Sequence, residues 1–238
     1  MMIEMYALGI ILARAGSKGL PEKCVAELLG RALIEYTFDH ALSSMRLDGV
    51  VLSTDSDKAH AVAHGRGIEV IDRPPELATD GATVDAAARH AVLAWERRHA
   101  VAVWQTVLLY ANVPVRAAGV IDRALTQLAQ SGASSVRSVA PVGKHHPDWM
   151  FKIEGDEMSQ LRPNRIHRRQ DLEPLYYHDG AVVAVTREAL FAASADDSQS
   201  FLGADRRALI QSPEDAVDVD EPLDLLVAEA LLRARVAV

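Results

Sequence analysis

MYALGIILARAGSKGLPEK, residues 5–23, is where the reading of this chain begins. Met5 to Ala13 is almost unbroken apolar sequence, the pattern of a parallel strand covered on both faces rather than a strand with one wet face. The run stops at Arg14 and gives way to a loop holding Gly16, Ser17, Gly19, Pro21 and three cations, Arg14, Lys18 and Lys23. In a doubly wound sheet, ligands bind outside the carboxyl ends of the strands, so a loop placed directly after the first strand is positioned to meet one. Glycines let backbone approach closely, and amides with cations suit the oxygens of a polyphosphate. The spacing is neither the GxxxxGK[ST] of a Walker loop nor the GxGxxG of a dinucleotide turn. From these residues alone, a solvated connection with ordinary charges is an equal reading.

Working outward, strand and helix signals alternate. Steps of three and four in apolar residues predict a helix over 31–45. A strand follows over 50–54, a short helix over 56–64 and a strand over 68–71. The Ala-rich stretch 84–98 favours helix. Strands over 101–110 and 135–141 bracket a helix over 117–130 that ends at Ser131-Gly132. This order predicts an α/β fold with a doubly wound, mostly parallel sheet of nucleotidyltransferase, Rossmann-like type. From 142 to 177 the alternation breaks in favour of His, Pro, Arg and aromatic residues, with a hairpin signal at Gly155-Asp156. Residues 1–141 and 178–238 are thus assigned to the main domain and 142–177 to an excursion from it. A strand over 181–185, a short strand over 208–210, an extended AVDVD and a helix over 223–235 complete the chain.

Composition sets bounds on function. Of 238 residues, 49% are hydrophobic and 24% charged, which supports a large core and argues against disorder. A net charge of −8 argues against general nucleic-acid binding, which needs a basic surface. The lone cysteine, Cys24, allows no internal disulfide framework. The first apolar run is too short to span a bilayer and lacks the layout of a signal peptide, so the expectation is a cytoplasmic protein with no membrane partner.

ILARAGSKGLPEK, over 11–23, resembles the signature loop of the CMP-sialic acid synthetases (acylneuraminate cytidylyltransferases). VVLSTDSDKAHAVAHGRGIEVIDRPPELATDGAT, WMFKI, RRQDLEPLYYHDGAVVAV and AVDVDEPLDL are similar to further blocks of that family in the same order. The resemblance implies transfer of CMP from CTP to the anomeric hydroxyl of a nine-carbon keto acid with release of pyrophosphate. It also implies Mg²⁺ as cofactor and a homodimer whose arm is the excursion. Ala13, Arg14, Gly16, Ser17, Lys18 and Lys23 match the family's nucleotide loop, while Arg73, Ala82 and Thr83 match the stretch that lies along base and ribose. Arg14, Lys18, Lys23 and Asp218 are the matched residues expected to carry catalysis. Arg169, with Asn112, is assigned to the acidic acceptor, since a carboxylate needs a guanidinium or an equivalent donor.

Asp218 and Asp220 also carry a signal of their own. With one residue between them in an extended segment, both carboxylates point to one face, and two hard oxygen ligands suit Mg²⁺. An acidic strand end whose Asp220 or Glu221 caps the next helix is the other reading, as a Pro-fixed surface loop is for Arg73 to Thr83. His145, His146, His167 and His178 fit no zinc spacing. Departures from the family cluster: Cys24 stands for an asparagine, YANVPVR (110–116) for QPTSPLR, YHDGA (177–181) for RPNGA, Val183 for a tyrosine and Val84 for a serine. Changing so many hydrogen-bonding groups alters which acceptor a site admits. A related nonulosonic acid, another acidic acceptor or nucleotide, or a non-catalytic nucleotide binder therefore stay open at this point.

Overall fold

The protein is described by a computed structural model over residues 6–16, 19–194 and 197–236. Strand β1 (Tyr6–Leu12) explains the opening run: Leu8, Ile10 and Leu12 face one side of the sheet while Ala7 and Ile11 face the other, all buried. A small hairpin, β2 (Glu27–Leu28) and β3 (Arg31–Ala32), follows the loop. The helix expected from Arg31 is therefore α1 (Leu33–Leu42), because Leu29 and Gly30 take the positive φ of a tight turn. The Glu35 carboxylate then caps the helix by accepting from the Ala32 amide at 2.9 Å. Next come β4 (Gly49–Thr54), α2 (Asp57–Gly65), β5 (Glu69–Asp72), α3 (Val84–His99), β6 (Val103–Tyr110) and the two-residue β7 (Val115–Arg116). α4 (Val120–Ser131) leads to β8 (Ser135–Pro141).

The chain then leaves the sheet. Val142 N donates to Leu175 O at 3.0 Å across the neck of the excursion. Inside it β9 (Phe151–Glu154) and β10 (Glu157–Gln160) form a hairpin around Gly155-Asp156. His146 is buried there; its Nδ1 accepts from Asp148 N at 3.1 Å, so the ring proton sits on Nε2, which donates to Glu173 O at 3.0 Å. β11 (Tyr176–Thr186) begins five residues before the expected strand start at Ala181, because its first residues are polar or aromatic and still pair with Pro141, Ala140 and Val139. The short α5 (Arg187–Phe191), which apolar spacing did not announce, precedes β12 (Arg206–Ile210), β13 (Ala216–Val217) and the closing α6 (Pro222–Val236).

Seven strands make the main sheet in the order β12-β8-β11-β6-β1-β4-β5. All its pairings are parallel except the two made by β11. On one face α1, α2 and α4 bury Phe38, Ala59, Ala63 and Leu125 against the sheet; on the other α3 and α5 bury Val92, Trp95 and Leu190. Each such large aliphatic or aromatic side chain contributes about 1.5–3 kcal/mol by leaving water. The chain runs outward from β1 to β4 and β5, then returns to β6 on the other side of β1. That reversal is a topological switch point, where a crevice opens at the strand ends. Among the described residues no helix is long and apolar enough to cross a membrane.

Candidate functional site

The crevice at the β1–β6 switch point is a cleft of about 490 Å³. Its walls come from the loop after β1 (Ala13, Arg14, Gly19, Lys23), the segment before α3 (Arg73, Asp80, Ala82, Thr83), the β6–β7 turn (Tyr110, Ala111, Asn112) and the chain just before α6 (Asp220, Glu221). Residues from both ends of the sequence thus meet in one cavity. Lys23 Nζ lies 2.5 Å from Asp220 Oδ1. A Cβ on Gly19 would come 2.6 Å from the Asp220 carbonyl oxygen.

Asn112 organises the acid pair. Its Nδ2 donates to Asp218 Oδ1, lies 3.1 Å from Val219 O and is 3.4 Å from Asp220 Oδ1. Its carbonyl accepts from Val219 N at 2.9 Å. The segment is held further by β13, which pairs Ala216 with Arg116 and Val217 with Val115. The first amides before α6 are capped by Asp224, whose Oδ2 accepts from Asp220 N at 2.9 Å and Glu221 N at 2.8 Å. The cap therefore does not use the Asp220 carboxylate, which remains turned to Lys23.

Asp218 is exposed and is not among the residues lining the cleft; it adjoins the cleft through Asn112, which does line it. Desolvation first, and the Asp220 charge next, push its carboxyl up to about 6, against the pull of Lys23. Between about pH 4 and pH 6 the folded chain holds a proton here that the unfolded chain has lost, so this group's contribution falls as pH rises through that window. Because solvent screens an exposed carboxylate, the effect is expected below about 1 kcal/mol. Asp218→Asn is expected to flatten that segment of a plot of Tm against pH; an unchanged slope would assign it to other groups.

The other assigned residues are placed as follows. Arg14 Nη1 pairs with Asp80 Oδ1 at 2.7 Å, and both line the cleft. The loop is tethered by Ala15 N, which donates to Asp55 Oδ1 at 2.9 Å. Gly16 is described but does not line the cleft. Ser17 and Lys18 lie outside the described residues. Arg73 is buried and donates to Ser53 Oγ at 3.2 Å and Ser53 O at 2.8 Å; burial pushes its guanidinium down from the ordinary arginine value. Thr83 caps α3, its Oγ1 accepting from Ala86 N at 3.4 Å, so its own proton is left to donate. The positive end of the α3 dipole thereby lies at the cleft wall. Arg169 is exposed in the excursion beside Gly143 and is not among the residues lining the cleft. Cys24 is a buried lining residue whose thiol is pushed up by burial, the setting of a filler rather than of a reactive thiolate. Among the described residues no group of three or more His, Cys, Asp or Glu side chains is arranged to hold a metal.

Sequence reasoning passed over Arg116. It is fully buried, and burial holds its guanidinium down to about 9. Its Nε donates to Ala181 O at 2.8 Å, Nη2 to Tyr110 O at 2.8 Å, and Nη1 to Thr37 Oγ1 at 2.9 Å and to Val113 O. The available signal was an arginine set directly among apolar residues, where a charge must be satisfied internally.

A model of the cytidylyltransferase family matches residues 8–178. The N-acylneuraminate cytidylyltransferase of Streptococcus agalactiae serotype V is 32% identical over 226 residues, covering 93% of this chain and 52% of that protein. The chain therefore spans about half the length of this curated relative. The CMP-N,N'-diacetyllegionaminic acid synthase of Legionella pneumophila is 29% identical, covering 96% of this chain and 97% of its own. Among solved structures, a CMP-2-keto-3-deoxy-manno-octonic acid synthetase in complex with CTP superposes with a TM-score of 0.71 at 17% identity, covering 97% of this chain and 99% of that one. A 4-diphosphocytidyl-2C-methyl-D-erythritol synthase from Anaerococcus prevotii superposes with a TM-score of 0.66 at 16% identity, covering 96% and 98%. At such identities the structural likeness is one of fold.

Proposed function

Because the chain belongs to the cytidylyltransferase family, whose model spans residues 8–178, we propose that it transfers CMP from CTP to the anomeric hydroxyl of an acidic keto sugar and releases pyrophosphate. One observation carries this reading: Lys23 of the loop after β1 and Asp220 from the far end of the chain touch within one cleft, beside an amide that binds both acids. The sugar oxygen attacks the α-phosphorus; as that O–P bond forms, the hydroxyl proton passes to water and the electron pair of the bond being broken leaves with pyrophosphate. Such a transfer depends on positioning and charge stabilisation more than on covalent chemistry. Lys23, Lys18 and Arg14 neutralise the triphosphate and its leaving group, Arg14 by exchanging Asp80 for a phosphate oxygen. Arg73, Ala82 and Thr83 lie along base and ribose.

The acid pair fits Mg²⁺. Two carboxylates converge on one amide, and desolvation first, with the like charge of Asp220 next, makes ionisation of Asp218 unfavourable, which a bound cation would offset. Mg²⁺ is commonly held by one or two carboxylates with phosphate oxygens and water completing its shell, so a preformed cage of three acids is not required. Held by Asp218 and Asp220, it would offset the charge that builds on the phosphates during transfer.

The acceptor we infer is a nonulosonic acid, with the legionaminic class favoured by the L. pneumophila relative, which matches over nearly its whole length. In the excursion, Phe151, Ile153 and Met158 are exposed on one face of the hairpin, where Ile153 pairs with Met158. Contiguous apolar residues left in water mark an interaction surface. We take it as the homodimer contact, and a cleanly monomeric sedimentation profile would remove that assignment. Since Arg169 does not reach its own cleft, its proposed role on the acceptor carboxylate requires the arm of a second copy. The compartment we infer is the cytoplasm.

The test is a panel of four nucleoside triphosphates against N-acetylneuraminate, N,N'-diacetyllegionaminate and other acidic acceptors, reading pyrophosphate. CTP with a nonulosonic acid is expected to exceed other pairings by about 10² or more, the discrimination a site lined with buried polar groups supports. Equal rates with another nucleotide would overturn the cytidylyl assignment. Nucleotide binding without turnover in any pairing would favour a non-catalytic binder.

A further inference from the structure

β11 carries an irregularity beside the acid pair. His178 pairs with Val139 and Val183 with Arg137, so four residues of β11 stand opposite the single Ser138 of β8. Asp179 to Val182 form this bulge, and Gly180 within it takes φ +75. Bulges next to active sites re-aim the groups around them. This one is held by polar groups in the interior. The Asp179 carboxylate is buried; its Oδ1 accepts from Ser138 Oγ and from Ala181 N at 3.0 Å, and its Oδ2 accepts from Gln211 Nε2 at 2.8 Å. Ser138 Oγ in turn accepts from Val182 N at 2.9 Å. Gln211 follows β12, with its own amide bonded to Val139 O at 2.9 Å, and its Oε1 has no partner among the described residues. Three neighbouring strands, β12, β8 and β11, are thereby tied together at the bulge.

Arg116 joins this bulge to the turn that carries Asn112. One edge of its guanidinium holds Ala181 O; the remaining donors hold Tyr110 O and Val113 O on either side of Asn112. Asp218 lies between the two structures so joined. Asn112 Nδ2 takes its Oδ1, while a Cβ on Gly180 would stand 3.7 Å from its Oδ2 and 3.4 Å from Val113 Cγ2. Arg116 hydrogen-bonds no carboxylate itself, and the negative charges of Asp179 and Asp218 are what oppose the effect of its burial.

We infer that Arg116 and Asp179 are positioning residues for the metal-binding acid pair: together they fix the β11 bulge against the Asn112 turn and so set where Asp218 presents its carboxylate. This rests on the proposed role of Asp218 and Asp220. Neither residue lines the cleft. A planar guanidinium with donors on three sides spans the two segments at once, which a lysine ammonium cannot do.

The experiment measures CTP binding by calorimetry with and without Mg²⁺, acceptor absent, so that no turnover enters. In the wild type, Mg²⁺ is expected to tighten CTP binding by about tenfold or more, a coupling of ordinary size. In Arg116→Lys and Asp179→Ala that gain is expected to shrink to about twofold or less, with the metal-free Kd within about threefold of wild type. Asp179→Asn is expected to recover most of the gain, because Gln211 can turn its unpartnered Oε1 toward the new amide nitrogen and keep the bulge bonded. A residue that merely stabilises the fold would lower Tm and leave the Mg²⁺ gain of the folded fraction unchanged. If Arg116→Lys does not fold, Ser138→Ala, which removes one hydroxyl from the same bulge, is expected to lose part of the gain and decides the matter. Folded variants that keep the full gain would overturn the inference. A wild type that gains nothing from Mg²⁺ would instead overturn the metal reading, and the inference would fall with it.

Discussion

Asp218→Ala is expected to lower kcat by about 10³, the order seen when one preorganised electrostatic group is removed from a transition state, and to leave the fold intact. The second half of that expectation comes from the surroundings of the residue. Asn112 Nδ2 loses one acceptor but keeps Val219 O at 3.1 Å, so no buried donor is orphaned. The truncation adds no bulk beside Gly180, and it removes a like charge from beside Asp220. The Tm of the free protein should therefore stay level or rise slightly. The rise in Tm that CTP with Mg²⁺ gives the wild type should fall sharply, since a ligand stabilises only in proportion to its binding to the folded state. Circular dichroism, melting with and without CTP and Mg²⁺, and turnover together check both halves. Wild-type turnover in this variant would remove Asp218 from the mechanism, whereas a collapsed Tm would show it to be structural.

This prediction could be framed from the sequence because the one-residue spacing of Asp218 and Asp220 is local information. The same holds for β1: burial on both faces leaves a continuous apolar run, and the loop that ends it announces itself by composition. What the sequence does not show is which partners these residues take. Lys23 and Asp220 are 197 positions apart and Arg14 and Asp80 are 66 apart, separations at which no spacing rule applies. The family resemblance brought the first pair to one site, but not the contact between them. The β11 bulge was hidden for another reason. Strand patterning rests on a period of two, and the bulge breaks that period, so Tyr176 and Tyr177 read as part of the excursion and His178 as lying before the strand, although all three pair with β8. Arg116 escaped because its importance lies in the carbonyls it satisfies, and backbone acceptors leave no mark in a sequence. Arg169 shows the converse limit: the family block places it by sequence, while in the fold it stands outside its own cleft.

Gly19→Ala is expected to reduce kcat/KM for CTP by about 10², the loss that accompanies a misplacement of about 1 Å in a positioned site. The cause is steric. A methyl at Gly19 would lie 2.6 Å from the Asp220 carbonyl oxygen and 3.6 Å from its carbon. The obstacle is backbone, which cannot swing aside as the end of a side chain can. Asp220 is itself pinned: its amide donates to Asp224 Oδ2 at 2.9 Å at the start of α6, and its predecessor Val219 is bonded through both amide and carbonyl to Asn112. The loop must therefore give way, and it carries Lys23 with it, opening the 2.5 Å contact to Asp220 on which the joint grip of phosphate and metal depends. Gly16→Ala is the matched control. It lies in the same loop, yet a Cβ there meets no atom of the described residues within 4 Å, so its effect on kcat/KM is expected to stay within about threefold, as for substitutions away from packed features. Measured side by side, the two variants separate a general intolerance of the loop to side chains from a specific need for contact at Gly19. Equal losses would point to loop flexibility. A wild-type rate for Gly19→Ala would mean that loop and acid pair work without touching, and the cleft would have to be redrawn with its two ends acting independently.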